Sequence, residues 1–127
     1  MAIRTEIGLR LPNSPGALAA VCRALADARV NILATMVEQN GQVRMIVDNH
    51  VGALAALEAR HHQVTARDVL VLRVSNDRGA LAPVVELVAG AGVNVEYAYG
   101  AAAEDSRGGL VVLGVDDPQR AATATGV

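Results

Sequence analysis

Apolar and polar positions along the first half of the chain follow two different periods. Residues 3–11 alternate with a period of two, which predicts a half-buried strand. Ser14 then stands where it can cap a helix that begins with Pro15, because a serine oxygen accepts the free N–H groups of a first helical turn. The side chains expected on the buried face of this helix are Leu18, Val21, Cys22, Leu25 and Ala28.

The pattern continues as two more strands, a second helix and a short last strand. The strands are predicted at residues 30–37, 43–48 and 63–66, the turn at Asn40-Gly41 and the second helix along Val51, Leu54 and Leu57. The resulting order, βαββαβ, predicts a ferredoxin-like unit in which two helices cover one face of a four-stranded antiparallel sheet.

The first half of the chain returns in the second half at an offset of 63 residues. Asn13-Ser14-Pro15-Gly16 corresponds to Asn76-Asp77-Arg78-Gly79, and Val30-Asn31-Ile32 corresponds to Val93-Asn94-Val95. The predicted elements of the copy are strands over 69–74, 93–101 and 110–115, a helix over 79–89, and a last helix capped by Asp116 or Asp117.

Two repeats, at residues 1–67 and 68–127, follow from this offset. The second repeat carries a longer hairpin near residues 102–107 and stops before its last strand. We therefore expect an α+β fold in which two ferredoxin-like repeats lie side by side in one extended antiparallel sheet, with the second repeat truncated.

Composition limits the classes of partner. With 52% hydrophobic and 19% charged residues and a net charge of −2, the chain can form a core and has no basic surface suited to nucleic acid. Its only aromatic residues, Tyr97 and Tyr99, are expected to face the core beside Val93 and Val95. No apolar run is long enough to span a membrane, and the N-terminus does not have the layout of a signal peptide.

The sequence contains few residues suited to catalysis or to metal binding. The adjacent pair His61 and His62 cannot chelate a metal as an i, i+4 pair would, and all eleven basic residues are arginine, which excludes a lysine nucleophile. The single cysteine, Cys22, is expected to pack in the core and cannot form an internal disulfide. We expect no enzyme activity, no cofactor and no metal, and a cytoplasmic location.

The repeated motif carries a family resemblance. A strand followed by Asn-x-Pro-Gly-x-Leu, a helix, and Val-Asn-Ile at the start of the next strand resembles an ACT domain, and two copies resemble the stand-alone tandem ACT proteins. The resemblance covers about residues 2–116 and implies a small amino-acid-binding module without a catalytic domain. Repeat two departs from the motif, because Arg78 replaces the proline.

The resemblance implies that the ligand lies between the strand-to-helix loop of one repeat and the second strand of the other. Carried over, the predicted pairs are Asn13 and Gly16 with Asn94, and Asn76 and Gly79 with Asn31. The full set of candidate ligand-binding residues is Asn13, Ser14, Pro15, Gly16, Asn31, Asn76, Asp77, Arg78, Gly79 and Asn94.

Physical chemistry of the loops supports this role. Gly16 and Gly79 are expected inside a first helical turn, where glycine costs about 0.5–1 kcal/mol relative to alanine, a cost that close approach of a ligand would explain. Free N–H groups at a helix start suit a carboxylate, and an asparagine side chain can bind either end of an amino acid. The Asn13 loop ranks first, because Asp77 would repel a carboxylate although Arg78 would attract one.

Two functions remain open. The leading one is a regulatory module that binds a free amino acid and signals to a partner or through its own assembly. The alternative is an oligomerisation or protein-interaction module whose ligand pocket is vestigial. A homodimer through the sheet face of repeat two is expected, because that face is predicted to expose apolar side chains and the absent last strand to leave an open edge. The predicted exposed residues are Val69, Val71, Ala98, Leu110 and Val112.

Overall fold

Periodicity and turn residues divide the chain as expected into alternating strands and helices. The computed structural model describes residues 3–126. The helices and strands in this range are β1 (Ile3–Arg10), α1 (Ala17–Asp27), β2 (Ile32–Val37), β3 (Gln42–Val47), α2 (His50–Ala59), β4 (Val64–Ser75), α3 (Leu81–Gly90), β5 (Val95–Ala101), β6 (Gly108–Val115) and α4 (Pro118–Thr125). The predicted α+β class and βαββαβ order are confirmed. Within the described range, no helix is long and apolar enough to span a membrane.

The six strands hydrogen-bond in the order β2-β3-β1-β4-β6-β5. The two strands predicted around residues 63–66 and 69–74 form one continuous strand, β4. By compactness the described residues divide into a first unit, Thr5–Arg67, and a second unit of residues 68–126 together with Ile3 and Arg4.

The first unit packs the inward side of its strands against α1 and α2. Its core consists of Ile7, Leu9, Leu11, Val21, Ala24, Leu25, Val30, Val43, Met45, Val47, Ala53 and Leu57. Asn49 caps α2 by accepting the N–H of Gly52 at 3.0 Å. Burial of this apolar set, rather than helix propensity, is what stabilises helices as short as these.

The second unit has a core of its own, made of Leu70, Leu72, Val88, Val93, Leu113, Val115, Ala121 and Ala122. Asp117 caps α4 by accepting the N–H of Arg120 at 3.1 Å, as predicted. Ile3 at the start of β1 packs against this core. β4 lies between β1 and β6 in the strand order.

The predicted buried faces of α1 and α2 are partly wrong. In α1 the buried residues are Val21, Ala24 and Leu25, whereas Cys22 is exposed. In α2 Val51 is exposed and Ala53 takes its place in the core. The helix α1 starts at Ala17 rather than at Pro15, and its core contacts lie on a face rotated from the one assumed.

Each unit carries a β-bulge at the same place in its second strand. In β2, Ile32 pairs with Val47 and Ala34 with Ile46, so that Leu33 is an extra residue. In β5, Val95 pairs with Val115 and Tyr97 with Gly114, so that Glu96 is extra. An extra residue moves every later side chain of the strand to the opposite face.

The bulge in β5 overturns the prediction for the two tyrosines. Tyr97 and Tyr99 pair with Gly114 and Val112 on the face of the sheet that lies away from the core, and Ala98 pairs instead with the core residue Leu113. The rings stack with centroids 6.4 Å apart and planes 13° apart. Each tyrosine is half-buried.

The outward face of the second unit is less exposed than its sequence predicts. Val71 is 8% exposed, and Val69 and Val112 are fully buried. The exposed apolar patch that motivated the homodimer is therefore not formed by these three valines.

Gly114 is required by the ring of Tyr97. A Cβ atom at this position would lie 2.2–2.5 Å from three carbon atoms of the far half of the ring, which covers the glycine. We expect Gly114→Ala to displace the ring and to lower the free energy of unfolding by about 1–2 kcal/mol, measured by urea denaturation followed by tyrosine fluorescence.

Gly90 provides the matched control, because a Cβ there meets no atom within 4 Å and Gly90→Ala should not lower stability. In a Tyr97→Ala background the cost of Gly114→Ala should largely disappear. An equal cost in both backgrounds would contradict the assignment.

Candidate functional site

The loop after β1 is a tight turn that leads into α1. Its geometry follows from Pro15-Gly16: the N–H of Ala17 donates to the carbonyl oxygen of Ser14 at 3.3 Å, and Gly16 has φ 85° and ψ −7°. Proline followed by a residue of positive φ is the signature of a type II turn. The prediction that Ser14 caps the helix is wrong, because the N-cap is Gly16 and no side chain caps α1.

The second loop repeats this turn without the proline. The N–H of Ala80 donates to the carbonyl oxygen of Asp77 at 3.2 Å, and Gly79 has φ 76°. Both glycines therefore precede their helices rather than lying inside the first turn as predicted. Their positive φ is sufficient reason for glycine, so the residue type alone does not indicate a ligand.

In the first unit the loop faces an open cleft of about 510 Å³. The cleft is lined by Leu11, Pro12, Asn13, Ser14, Ala17, Leu18, Val37, Glu38, Gln39, Asn40 and Gly41. One wall is thus the turn and the start of α1, and the other is the tip of the β2–β3 hairpin.

The hairpin tip is fixed to the end of β1. The N–H of Leu11 donates to the carbonyl oxygen of Gly41 at 2.8 Å, and Nη1 of Arg10 donates to the carbonyl oxygen of Asn40 at 3.0 Å. Since β1 and β2 both pair antiparallel with β3, their C-terminal ends meet at one end of the sheet. One backbone bond and one side-chain bond therefore fix the hairpin wall of the cleft to the end of β1.

The start of α1, of which Ala17 and Leu18 line the cleft, has backbone donors without an acceptor in the described part of the chain. The first i→i−4 bond of the helix runs from the N–H of Ala20 to the carbonyl oxygen of Gly16 at 3.0 Å. Among residues 3–126, no acceptor is present for the N–H groups of Leu18 and Ala19, as expected for a helix start. Together with the exposed amide of Asn13, these groups can bind a carboxylate.

The bulge in β2 determines which side chains near the hairpin tip lie on the face of the sheet that borders the cleft. Val37 pairs with the core residue Val43 and shares its face. Glu38 points to the other face, where its Oε1 atom lies 3.4 Å from Nε of Arg44. Arg44 also approaches Glu6, which is 2% exposed, at 3.8 Å.

The corresponding loop of the second unit is used differently. Nδ2 of Asn76 donates to the carbonyl oxygens of Ala103 and Ser106 at 3.0 and 2.7 Å. The backbone N–H of Asn76 also donates to the carbonyl oxygen of Arg107 at 2.8 Å. Both amide protons of this side chain thus hold the tip of the longer β5–β6 hairpin, whereas no hydrogen bond of the Asn13 side chain is present in the described part of the chain.

Two other predicted site residues, Asn31 and Asn94, open β2 and β5. The N–H of Asn31 donates to Oδ1 of Asp48 at 2.9 Å, and the carbonyl oxygen of Asn31 accepts from the N–H of Asp48 at 3.0 Å. Asn94 and Asp116 form the same two bonds. Within the first unit Asn31 lies at the opposite end of β2 from the cleft, roughly 20 Å away for a strand of this length. Its pairing with a ligand stays a prediction.

Sequence reasoning missed the hairpin side of the cleft. Val37, Gln39 and Asn40 line it together with Leu18, which was assigned to the core but is partly exposed. The signal available in the sequence was topological, since an antiparallel β1–β3–β2 order brings the hairpin tip beside the loop after β1. No cluster of three potential metal ligands exists among the described residues.

Part of the chain matches a known protein family. Residues 5–61 match the family model described as ACT domain. This segment, somewhat less than half of the chain, is an ACT domain by that match, and the resemblance noted in the sequence is confirmed there. No curated protein matches the chain significantly in sequence.

Solved structures extend the likeness to nearly the whole chain. A protein from Bacteroides thetaiotaomicron has a TM-score of 0.89 at 28% identity, covering 97% of this chain and 86% of that one. The regulatory subunit of aspartate kinase from Thermus thermophilus, in ligand-free form, has a TM-score of 0.71 at 22% identity, covering 99% and 95%. Escherichia coli aspartokinase III, in complex with lysine and aspartate, has a TM-score of 0.60 at 16% identity, covering 99% of this chain and 31% of that one. The fold is thus similar to that of the regulatory subunit of aspartate kinase from Thermus thermophilus.

The structural roles of Asn13 and Asn76 can be compared without a ligand, through the stability of the fold. Asn76→Ala should leave the carbonyl oxygens of Ala103 and Ser106 without their donor and lower the free energy of unfolding by about 1–2 kcal/mol. Hydrogen exchange of residues 102–107 should accelerate. Asn13→Ala is the matched control and should change neither quantity, so an equal effect of the two substitutions would contradict the assignment.

Proposed function

We propose that the chain is a regulatory module that binds a free amino acid in the cleft of the first unit and signals to a partner protein or through its own assembly. It carries out no catalysis in this proposal, and the cytoplasm is its expected location. The observation that carries the proposal is the cleft itself, where Asn13, free N–H groups of α1 and the apolar residues Leu18 and Val37 line one space.

The proposed binding mode places the ligand carboxylate at the start of α1. The N–H groups of Leu18 and Ala19 and the positive end of the helix dipole attract an anion there. Asn13 can donate to the carboxylate or accept from the α-ammonium group. Ser14, Pro15 and Gly16 form the turn that fixes these donors, so their role in binding is to hold the geometry.

A single site per chain is the form of the proposal that the hydrogen bonds favour. The second loop presents Asp77, Arg78 and Gly79 to solvent, but Asn76 is engaged by the hairpin. Pro83, in the first turn of α3, removes one N–H group as well. We therefore expect this loop to bind weakly or not at all.

The second candidate function is a protein-interaction or oligomerisation module with a vestigial pocket. Exposure of Leu81 and Leu87 on α3 favours it, because this helix carries a single charged residue, Glu86, and apolar helices are usually covered on several sides. Homodimerisation through the sheet face of repeat two belongs to either function. On that face the half-buried Tyr97 and Tyr99 would be the residues in contact.

A ligand screen followed by paired substitutions tests the site. The standard amino acids at millimolar concentration should include one that raises the melting temperature, because a ligand of the folded state stabilises it. For that amino acid, Asn13→Ala should weaken binding by about 1–3 kcal/mol in calorimetry, and Asn76→Ala should leave affinity and a stoichiometry of one unchanged.

Gly16→Ala and Gly79→Ala form a second matched pair. Both positions have positive φ and open space around an added Cβ, so both substitutions strain the turn similarly. Only Gly16→Ala should lower affinity. Absence of any thermal shift would favour the interaction module, and equal losses in the two variants would move the site out of this cleft.

A further inference from the structure

The cleft of the first unit exposes apolar side chains that nothing in the unit covers. Leu18 is 40% exposed and Val37 is 44% exposed, and both line the cleft, one from each wall. Leu11 and Ala17 add apolar surface between them. A ligand side chain that fills this space would remove the apolar surface of both walls from water.

The same cleft offers no charged side chain to a ligand. Of the residues that line it, Glu38 alone carries a charge, and its carboxylate lies on the other face beside Arg44, at 3.4 Å. Arg10, which is next to the cleft, donates to the carbonyl oxygen of Asn40. The remaining polar groups, on Asn13, Ser14, Gln39 and Asn40, are neutral.

We propose that the ligand is an amino acid with an uncharged, aliphatic side chain, of the size of leucine or norleucine. This inference rests on the proposed function and names the class of ligand for the same site. The two charges common to all amino acids are met by helix N–H groups and amide oxygens. A third charge, on the side chain, would lose hydration between Leu18 and Val37 without gaining a partner.

Amino acids of similar shape but different charge show how much the side-chain charge of the ligand affects its affinity. Leucine, asparagine and aspartate have branched side chains of similar outline, and norleucine matches the carbon chain of lysine. In calorimetry with the full chain, we expect leucine or norleucine to bind at least about tenfold more tightly than aspartate or lysine, the order that an uncompensated charge dictates. Asparagine should fall between leucine and aspartate.

A charged substitution in the wall of the cleft tests the reverse change in ligand preference. Leu18→Arg places a guanidinium at an exposed position of the cleft, so the fold should survive, and the preference should move from leucine toward aspartate. Leu87→Arg, on an exposed position of α3 in the second unit, is the matched control and should leave the preference unchanged.

The outcomes distinguish the two proposals. Binding of aspartate or lysine as tight as that of its neutral isostere, with loss of affinity in Asn13→Ala, would overturn the ligand class and leave the proposed function standing. Failure of every standard amino acid and of norleucine to bind would overturn both. Tight leucine or norleucine binding that Asn13→Ala weakens and Leu18→Arg redirects would support both.

Discussion

The second strand of each unit contains one extra residue, and the faces of the sheet depend on it. Leu33 and Glu96 are the extra residues at the two register shifts, so the strands β2 and β5 present their later side chains to the face opposite from the one that strict alternation predicts. The two bulges lie 63 residues apart, the offset of the sequence repeat. The same backbone device is thus present in both copies even though their later sequences have diverged.

The cross-strand pairs beside the two bulges differ, but the change on one strand is matched by the opposite change on its neighbour. Ala34 opposite Ile46 becomes Tyr97 opposite Gly114, so the small and the large residue exchange strands. In the first unit the bulge turns Val37 toward the cleft and Glu38 away from it, so the hairpin wall combines one apolar side chain with the neutral polar residues Gln39 and Asn40. In the second unit the hairpin is longer, and the side chain of Asn76, which corresponds to Asn13, is hydrogen-bonded to the tip of that hairpin.

Local chemistry was sufficient to predict most of the fold. The repeat offset gave the order of elements, and cap and turn residues such as Asp117 placed helix ends, because their hydrogen bonds involve only near neighbours in sequence. The bulges left no such local signature, so the tyrosines were assigned to the wrong face. Cys22 was misplaced because Val21 and Leu25 are compatible with two neighbouring faces of the helix, and the buried face is the one that includes Ala24. The candidate loop at Asn13 was visible in the sequence, but the hairpin wall that completes the cleft requires the strand register.

The central claim is that one cleft, in the first unit, binds one amino acid. Hydrogen–deuterium exchange of the full chain, with and without leucine at saturating concentration, tests it most directly, because amides at the start of α1 would gain an acceptor. The account predicts slower exchange in residues 11–20 and 37–42, with no change in residues 76–83 and 101–108. Protection of the second pair of segments, or of neither pair while leucine binds, would contradict it.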